Sequence, residues 1–494
     1  MSSKPRSKRN KSEPEELRIP AEIIKAFSQE FGFSLLIKGA AGTGKTTMAF
    51  ELLSIFEPPI YLSTRVAPSS LFQQFPWLQD KIDPENILDA TRTFLPPYHE
   101  AYALKTHIKQ TLRFSSVPDF LKILYDKVDQ YGSPLIVIDS WDAVIGTQNQ
   151  DREKLETLLT EFVRQMKVHL ILISESAEPT FLDYIVDGIV TFKDQEVDGR
   201  VIRSIELNKT RGIERRQKQY VFTLYDNHFQ YIKPFELQPP KRVRPWVVEK
   251  DTEEFFSAGN RDLNMLYGQG LRPGTFNLLE IGYNVPISAY SPLFLGMVCN
   301  FLSQDRGVIL QTMEGINSEL IDKKRLFLYE DVENINQYLR VLMEKVSDRN
   351  EIRPYIVQVE EENKLQKFLE VYEELSALTR FQPVFAGITY DTLSFYSNFK
   401  RTLAKFYDHL RLIKNLNIIE LGIINSTEQS AGGQGASMTP SLNQDISYLS
   451  DTYLKIISVN GALLIYGVKP RTGLYAINYD TSLGVPKLKL TPVV

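Results

Sequence analysis

The eight residues Gly39–Thr46, GAAGTGKT, have the residue types and spacing of a phosphate-binding loop. Glycines let the backbone wrap around a phosphate with its N–H groups directed inward, and a following helix N-terminus favours the anion. At this spacing Lys45 is expected to reach the β- and γ-phosphates of ATP, and the Thr46 hydroxyl to bind Mg²⁺. The residues expected to hold the nucleotide are Gly39, Gly42, Thr43, Gly44, Lys45, Thr46 and Thr47.

The loop stands between a predicted strand and a predicted helix, as phosphate binding requires. The apolar run Phe33–Ile37 predicts a buried strand, and Thr46–Leu53 predicts a helix. A glycine-rich turn that matches by accident is the alternative. Flanking elements of the correct type on both sides argue against it.

Length and composition indicate a soluble globular protein of more than one domain. The chain has 494 residues, of which 43% are hydrophobic and 24% charged. No apolar run approaches the roughly 20 residues of a membrane span, so we expect no membrane partner and a cytoplasmic location. The single cysteine, Cys299, excludes an internal disulfide framework and a cysteine-based zinc site. A formal net charge of −4 argues against a general nucleic-acid coat.

Predicted strands and helices alternate in the same order in both halves of the chain. The first half has apolar strand segments at Pro59–Ser63, Leu135–Ile138 and Val168–Ile173. The second half has corresponding segments at Gly307–Gln311, Pro383–Ile388 and Ile418–Ile424. Strands that are apolar on both faces and alternate with helices indicate a mostly parallel sheet flanked by helices. We therefore predict an α/β fold with two homologous tandem domains.

Composition suggests where these domains begin and end. Residues 1–16 are basic and serine-rich and are expected to form a disordered tail. Residues 17–235 are expected to form the first domain, and residues 259–494 the second. Between them, residues 236–258 combine prolines with basic residues, which is typical of a linker.

These landmarks resemble the RecA superfamily, in particular its KaiC-like and RadA-like ring-forming ATPases. The resemblance covers nearly everything from Leu17 to about Tyr475. Within it, the segments Ile19-Pro20 and Ser63–Arg65 and the basic stretch after Lys209 look most like the archaeal gas vesicle protein D group of KaiC-like regulators. The resemblance implies two tandem RecA-like P-loop domains.

Three residues take roles from this resemblance. Asp139, at the end of a predicted strand, corresponds to the second ATPase carboxylate, which holds the Mg²⁺ hydration shell. A helix cap is the alternative, since Ser140 is a cap former too. Lys209 and Arg211 resemble the catalytic Lys-x-Arg hairpin that, in KaiC-like rings, points at the γ-phosphate held by the adjacent subunit. A solvated basic turn is the alternative for this pair.

The chain also departs from the family pattern. KaiC-like ATPases end the strand after the P-loop helix with one or two glutamates that activate the attacking water, whereas this chain has Thr64-Arg65-Val66. Asp142 or Glu175 is a candidate substitute base, with a cap or a solvated strand end as the alternative. In the second half the loop is replaced by Gly282–Ala289, although Glu314 stands at the glutamate position. We therefore expect ATP binding with slow or absent hydrolysis in the first domain and a degenerate second domain.

Two segments concern partners. The glycine-rich stretch Glu428–Ser437 stands where RecA-like rings carry a pore loop, and a flexible surface loop is the equal alternative. The basic clusters Arg211–Lys218 and Lys241–Arg244 suit phosphate or an acidic protein but lack interleaved aromatics.

Three functions follow as hypotheses. The first is a KaiC-like regulatory protein, in which ATP controls assembly into a homo-oligomeric ring, of six by the resemblance, and binding of a protein partner. The second is a DNA-acting RecA-like ATPase in recombination or repair, for which nucleic acid would be the partner. The third is a scaffold that works without nucleotide. The intact loop argues against the third, and the missing glutamates argue against a processive motor.

Overall fold

The computed structural model describes residues 18–89, 117–146, 152–176, 178–311, 325–343, 353–360, 363–390, 399–426 and 442–494. They divide into two compact units. The first extends to Lys233 and includes Val493 and Val494, and the second covers Pro234–Pro492. The predicted tail, Glu314 and the glycine-rich stretch Glu428–Ser437 lie outside the described residues.

The first unit is built around one sheet. Its strands are β1 (Ser34–Lys38), β2 (Pro59–Ser63), β3 (Ile87–Asp89), β4 (Leu135–Asp139), β5 (His169–Ser174), β6 (Gly188–Val197), β7 (Arg200–Thr210), β8 (Gln219–Thr223) and β9 (Gln230–Tyr231). Its helices are α1 (Ala21–Phe27), α2 (Lys45–Ile55), α3 (Pro68–Gln74), α4 (Val117–Tyr131), α5 (Trp141–Gly146), α6 (Arg152–Met166) and α7 (Phe181–Ile185). The strand order is β3-β2-β4-β5-β1-β6-β7-β8-β9.

Helices cover both faces of this sheet because successive strand residues point to opposite sides. In β1, Leu35 and Ile37 pack in the core that contains α1 and α2. Leu36, between them, packs in the core that contains α4 and α6. Strands from β3 to β6 in the sheet order run parallel, whereas β6 to β9 form antiparallel pairs.

The parallel register brings the carboxyl ends of the central strands to one edge. Lys38 of β1 pairs with Ser174 of β5, and Asp139 of β4 lies between Ser63 of β2 and Ile173 of β5. The segments that follow these strands therefore meet at this edge. Open α/β sheets bind their ligands there.

The second unit contains a larger sheet. Its strands are β10 (Thr275–Ile281), β11 (Val308–Gln311), β12 (Leu339–Met343), β13 (Ile356–Gln358), β14 (Phe385–Thr389), β15 (Ile419–Asn425), β16 (Thr452–Val459), β17 (Ala462–Lys469), β18 (Leu474–Asp480) and β19 (Lys487–Val493). Its helices are α8 (Arg261–Leu266), α9 (Ile287–Leu302), α10 (Leu326–Tyr329), α11 (Val332–Tyr338), α12 (Lys364–Leu378), α13 (Phe399–Asn415) and α14 (Leu442–Leu449). The order is β13-β12-β11-β14-β15-β10-β16-β17-β18-β19.

The two sheets follow the same path through their strands. When β10 is matched to β1, the orders coincide from β3 and β12 at one side to β8 and β18 at the other. A local contact repeats as well: the Ser34 N–H donates to Asp187 Oδ2 at 3.2 Å, and the Phe276 N–H donates to Asp451 Oδ2 at 2.9 Å. The predicted fold class, two tandem mostly parallel α/β domains, is confirmed.

The segment predicted as a linker packs within the second unit. Trp246 is buried in the hydrophobic core of that unit, where its ring lies against Gly296 of α9. Asn300, also on α9, accepts a hydrogen bond from the Glu249 N–H at 2.8 Å. The boundary between the units falls at Lys233 and Pro234, because residues after it bury side chains in the second core.

Candidate functional site

The phosphate-binding loop connects β1 to α2 in the first unit, as the sequence predicts. Gly39, Gly42 and Gly44 have φ values of 150°, 77° and 99°, a backbone region that L side chains rarely adopt. At Gly44 an added Cβ would also lie 2.8 Å from a Leu224 methyl carbon. The glycines are thus required by the path of the loop.

Helix α2 starts at Lys45 without a side chain that caps its N-terminus. The first N–H groups of a helix have no intrahelical acceptor, so an uncapped start offers them to an anion. The first turn of α2 carries no acidic residue that would repel one.

Lys45 lies folded over the loop that precedes it. Its Nζ donates hydrogen bonds to the carbonyl oxygens of Gly39 at 2.7 Å and Ala40 at 2.6 Å. Burial lowers the pKa of Lys45, and the nearby carboxylates of Glu175 and Asp139 oppose that shift. Thr43, also buried, donates its hydroxyl to the Ala40 carbonyl at 2.9 Å. These bonds hold the loop in shape and place the ammonium group at its mouth.

Thr46 and Asp139 lie together although they are distant in sequence. The Thr46 hydroxyl donates to Asp139 Oδ2 at 2.6 Å, and the buried Tyr61 hydroxyl donates to the same oxygen at 2.8 Å. Burial, followed by the charge of Asp139, raises the pKa of Tyr61 well above its usual value, so this hydroxyl keeps its proton. A hydroxyl and a carboxylate are hard oxygen ligands of the kind Mg²⁺ takes alongside phosphate oxygens and water, so the pair fits that ion.

An ion pair joins Arg65, at the position of the missing glutamate after β2, to Glu175 at the end of β5, two strands away in the sheet. The Arg65 guanidinium donates to Glu175 Oε1. Asp142 binds the two residues at the end of β5. Its carboxylate accepts hydrogen bonds from the Ser174 hydroxyl at 3.2 Å and the Glu175 N–H at 2.7 Å. Asp142 therefore positions the end of β5, whereas the Glu175 carboxylate is bound to a cation.

These elements enclose a cavity of about 240 Å³. Its lining residues come from the loop, the start of α2 and the ends of β4 and β5, and include Gly42, Gly44, Lys45, Thr46, Thr47, Asp139, Glu175 and Leu224. Leu224 adds an apolar wall from the segment after β8. The cavity holds cationic, hydroxyl and carboxylate groups within one cleft, as a nucleotide–Mg²⁺ complex requires.

Lys209 and Arg211 lie at the end of β7 and are not among the residues that line this cavity. Lys209 Nζ donates to the carbonyl oxygens of Asp183 at 3.0 Å and Tyr184 at 3.1 Å, in α7. Burial lowers its pKa, and the neighbouring Arg211 adds to that effect. Arg211 binds Asp187 Oδ1 at 2.9 Å while half of its side chain stays exposed. The two cations therefore differ: Lys209 anchors the hairpin and Arg211 is presented outward.

The second unit repeats this anchor but not the loop. Lys469 Nζ donates to the carbonyl oxygens of Ser447 at 3.0 Å and Tyr448 at 2.7 Å, as Lys209 does in the first unit. Between β10 and α9 the chain runs from Gly282 to Pro286, where Val285 is buried in the core and Pro286 is the N-cap of α9. Proline has no N–H group to offer a phosphate at that position.

Two residues that contribute to the first site, Tyr61 and Leu224, were not predicted from the sequence. Tyr61 occurs within the apolar strand β2, and its hydroxyl was the one available signal of a polar contact. Leu224 gave none, since only the folded sheet brings the segment after β8 to the loop. Two residues of the basic cluster Arg211–Lys218 make contacts within the first unit. Lys218 pairs with Glu206 at 2.7 Å, and Arg215 donates to the Leu207 carbonyl at 2.6 Å.

The first unit has a glycine loop between a central strand and a helix, and a Thr–Asp pair at the carboxyl edge of its sheet. These features define a P-loop nucleotide-binding domain of the RecA-like class. Comparison with known proteins gives a matching family model for part of the chain. Residues 23–208 match the family model described as GvpD gas vesicle protein, P-loop domain.

Individual relatives agree with that match. The chain is 30% identical to Protein GvpD1 of Halobacterium salinarum over 302 residues, 58% of this chain and 55% of the relative. It is 29% identical to Protein GvpD2 of the same organism over 309 residues, 58% of this chain and 60% of the relative. Circadian clock protein KaiC2 of Synechocystis is 23% identical over 212 residues, 40% of this chain and 36% of the relative.

These matches confirm the resemblance that the sequence predicts: residues 23–208 match the P-loop domain of GvpD, and a KaiC protein is among the similar proteins. The chain spans a little over half the length of the two GvpD relatives. None of the helices in the described part of the chain is both long and apolar enough to cross a membrane.

Proposed function

We propose that this chain is an ATP-binding regulatory protein of KaiC-like build, whose nucleotide state controls assembly and partner binding and whose hydrolysis is slow or absent. The observation that carries the proposal is the Arg65–Glu175 ion pair beside an otherwise complete ATP site. This site has the residues expected to bind ATP, but it has the cation Arg65 where KaiC-like ATPases have a glutamate that acts as base.

ATP binding follows from the loop and the start of α2. The Lys45 ammonium, now bound to the Gly39 and Ala40 carbonyl oxygens, would exchange them for oxygens of the β- and γ-phosphates. The uncapped N–H groups of α2 would take the β-phosphate. Thr46 and Asp139 would hold Mg²⁺, which neutralises phosphate charge when it is bound. The Tyr61 hydroxyl fixes the Asp139 carboxylate from the other side.

Slow hydrolysis follows from the groups around the expected position of the γ-phosphate. A general base must be free to take a proton from water. The Arg65 guanidinium cannot accept a proton. It donates a hydrogen bond to one oxygen of Glu175, a carboxylate that lines the cleft. Asp142 is engaged by Ser174 and the Glu175 N–H. The site is thus built to retain ATP rather than to turn it over quickly.

Assembly is the proposed output of ATP binding. Arg211 has half of its side chain exposed and a planar guanidinium that binds two phosphate oxygens, so we assign it the contact with the γ-phosphate of an adjacent chain. Lys209, bound to two carbonyl oxygens, supports the hairpin that carries Arg211. A homo-oligomeric ring, of six chains by the KaiC resemblance, would then form more readily with ATP.

The relatives suggest a setting. The family model names a gas vesicle protein, and KaiC2 is named a circadian clock protein. We infer a regulatory role exercised through a protein partner in the cytoplasm. DNA-dependent turnover in recombination or repair is the competing function, and it requires rapid hydrolysis that Arg65 argues against.

Sedimentation of the full chain tests this function. Runs with ATP and Mg²⁺, with ADP and Mg²⁺, and without nucleotide give the mass of the assembly in each state. We expect a larger assembly with ATP and Mg²⁺ than in either other state. An identical mass in all three runs would refute control of assembly by nucleotide. Phosphate release stimulated severalfold by DNA would favour the recombinase-like function instead.

A further inference from the structure

A second cavity, of about 600 Å³, lies wholly within the second unit. It is lined by the turn after α8, the beginning of β10 and the end of β17. The degenerate loop Gly282–Pro286 follows the other end of β10, so the cavity is not a remnant of a phosphate-binding loop. Its volume falls in the range of about 300–1,000 Å³ that small-molecule sites occupy.

Tyr267 closes one side of this cavity. The residue is 3% exposed, and its hydroxyl is buried without a hydrogen-bond partner among the described residues. Burial raises the pKa of Tyr267 above its usual value, so the hydroxyl keeps its proton. Because water does not reach this oxygen, Tyr267 contributes its ring to the wall and no hydrogen bond to a ligand.

The charges that line the cavity favour an anion. Arg272, Lys469 and Arg471 are cationic, and Asp451 is the acidic residue among the described lining residues. The Lys469 ammonium is bound to the Ser447 and Tyr448 carbonyl oxygens, so it adds charge to the wall but is held by the protein. The Asp451 carboxylate accepts a hydrogen bond from the Phe276 N–H at 2.9 Å, which partly satisfies it. The wall therefore carries an excess of positive charge, and Arg272 and Arg471 are the guanidinium groups suited to phosphate or carboxylate.

Part of the wall is ordered by contacts within the unit. The Arg272 guanidinium lies 4.7 Å from the centre of the Phe255 ring, so a cation and an aromatic face stand side by side. Asn277 is buried and donates to the Glu420 carbonyl oxygen at 3.0 Å. Val468 and Pro470 supply further apolar surface. This arrangement combines an apolar surface with a few convergent polar groups, as ligand sites do.

We propose that this cavity binds a small organic anion, with a phosphate or carboxylate at Arg272 and Arg471 and an apolar ring or chain against Phe255. The proposal is independent of nucleotide binding in the first unit.

Calorimetric titration with phenyl phosphate tests the proposal in a full-length Lys45→Ala background, which removes phosphate binding at the first site. We expect binding that Arg272→Gln weakens at least tenfold. The matched control is Arg261→Gln, which changes the same residue type outside the cavity and should leave the affinity unchanged. Benzoate compares carboxylate with phosphate as the charged group.

The melting temperature supplies a second measurement. With phenyl phosphate, the parent should gain more in melting temperature than Arg272→Gln. No binding of phenyl phosphate, or equal affinity in the parent and Arg272→Gln, would overturn the proposal. Equal binding of benzyl alcohol would exclude a site selective for anions.

Discussion

The Arg65 guanidinium binds the Glu175 carboxylate across the carboxyl ends of β2 and β5, 110 residues apart in the chain. Asp142 fixes the Glu175 backbone, so three charged residues at this edge act on one another. The pair lies close enough to Lys45 to act on its charge, as does Asp139, and we propose that Lys45 and Asp139 bind phosphate and Mg²⁺. We therefore expect Arg65 to control whether a carboxylate at this edge is free to act on water.

Replacing Arg65 by glutamate should increase ATP hydrolysis. The wild type is expected to turn over well below the ~1 s⁻¹ at the lower end of ordinary enzymes. Arg65→Glu supplies a carboxylate at the strand end, and general-base help is worth about a hundredfold or more, so at least a tenfold rise is expected. Steady-state phosphate release with saturating ATP and Mg²⁺ measures it.

Arg65→Gln is the matched control for that experiment, since it removes the positive charge without adding a base. A rise in Arg65→Gln equal to that in Arg65→Glu would assign the effect to release of Glu175. Ordinary turnover by the wild type would reject the proposed loss of catalysis.

The chain should bind one ATP, in the first unit. Only that unit keeps the glycines and Lys45, whereas the second has Val285 and Pro286 between its first strand and helix. Lys45→Ala should abolish binding, because the lysine is expected to contact the β- and γ-phosphates. Equilibrium dialysis gives the stoichiometry, and Lys25→Ala, at an exposed lysine of α1, is the control. Two nucleotides per chain at saturation would contradict the assignment.

Arg211→Ala should weaken assembly driven by ATP and leave ATP binding by the single chain intact. The guanidinium is expected to contact the γ-phosphate of an adjacent chain, and the coupling is reciprocal, so assembly also tightens ATP binding. Sedimentation with ATP and Mg²⁺ compares this variant with Arg242→Ala, an exposed arginine elsewhere. If the wild type stays monomeric at saturating ATP, Arg211 has no role in trans.

Stability of the second unit should decrease as pH rises above neutrality. Glu420 is fully buried, His409 Nε2 lies 2.8 Å from its Oε2, and Tyr390 donates to its Oε1. Burial lowers the pKa of His409, but the charge and hydrogen bond of Glu420 outweigh burial and raise it above 6.5. The folded state therefore favours the protonated imidazole. Its contribution is complete below pH 6.5 and is lost as pH rises through the folded-state pKa.

His409→Gln tests that linkage. At pH 6 it should destabilise the second unit by about 3–5 kcal/mol, because it leaves the buried carboxylate without its cation. The difference in melting temperature between wild type and variant should shrink by pH 9. A difference that stays constant from pH 6 to pH 9 would show that the pair does not titrate with folding.

Local sequence predicted much of the fold and of the first site. The loop Gly39–Thr46 and its apolar flanks gave β1 and α2 within two residues at each end, because glycine content and apolar periodicity act over short stretches. The tandem repeat followed from the order of the strands. The packing of the predicted linker did not follow from the sequence. Residues 236–258 lack a regular apolar period, yet Trp246 is buried in the second core. Isolated anchoring residues of this kind leave no periodic signal.

The sequence by itself determined the presence of a phosphate-binding loop motif and the absence of the usual base, since both depend on residue types at fixed spacing. Only the tertiary structure decided what the remaining charges do. It paired Arg65 with Glu175, placed the Tyr61 hydroxyl on Asp139, and separated the bound Lys209 from the exposed Arg211. The Arg65–Glu175 and Tyr61–Asp139 contacts join segments far apart in the chain, and the register of the parallel strands, which no local pattern encodes, brings them together. The contacts of Lys209 and Arg211 depend on the antiparallel pairing of β6 with β7.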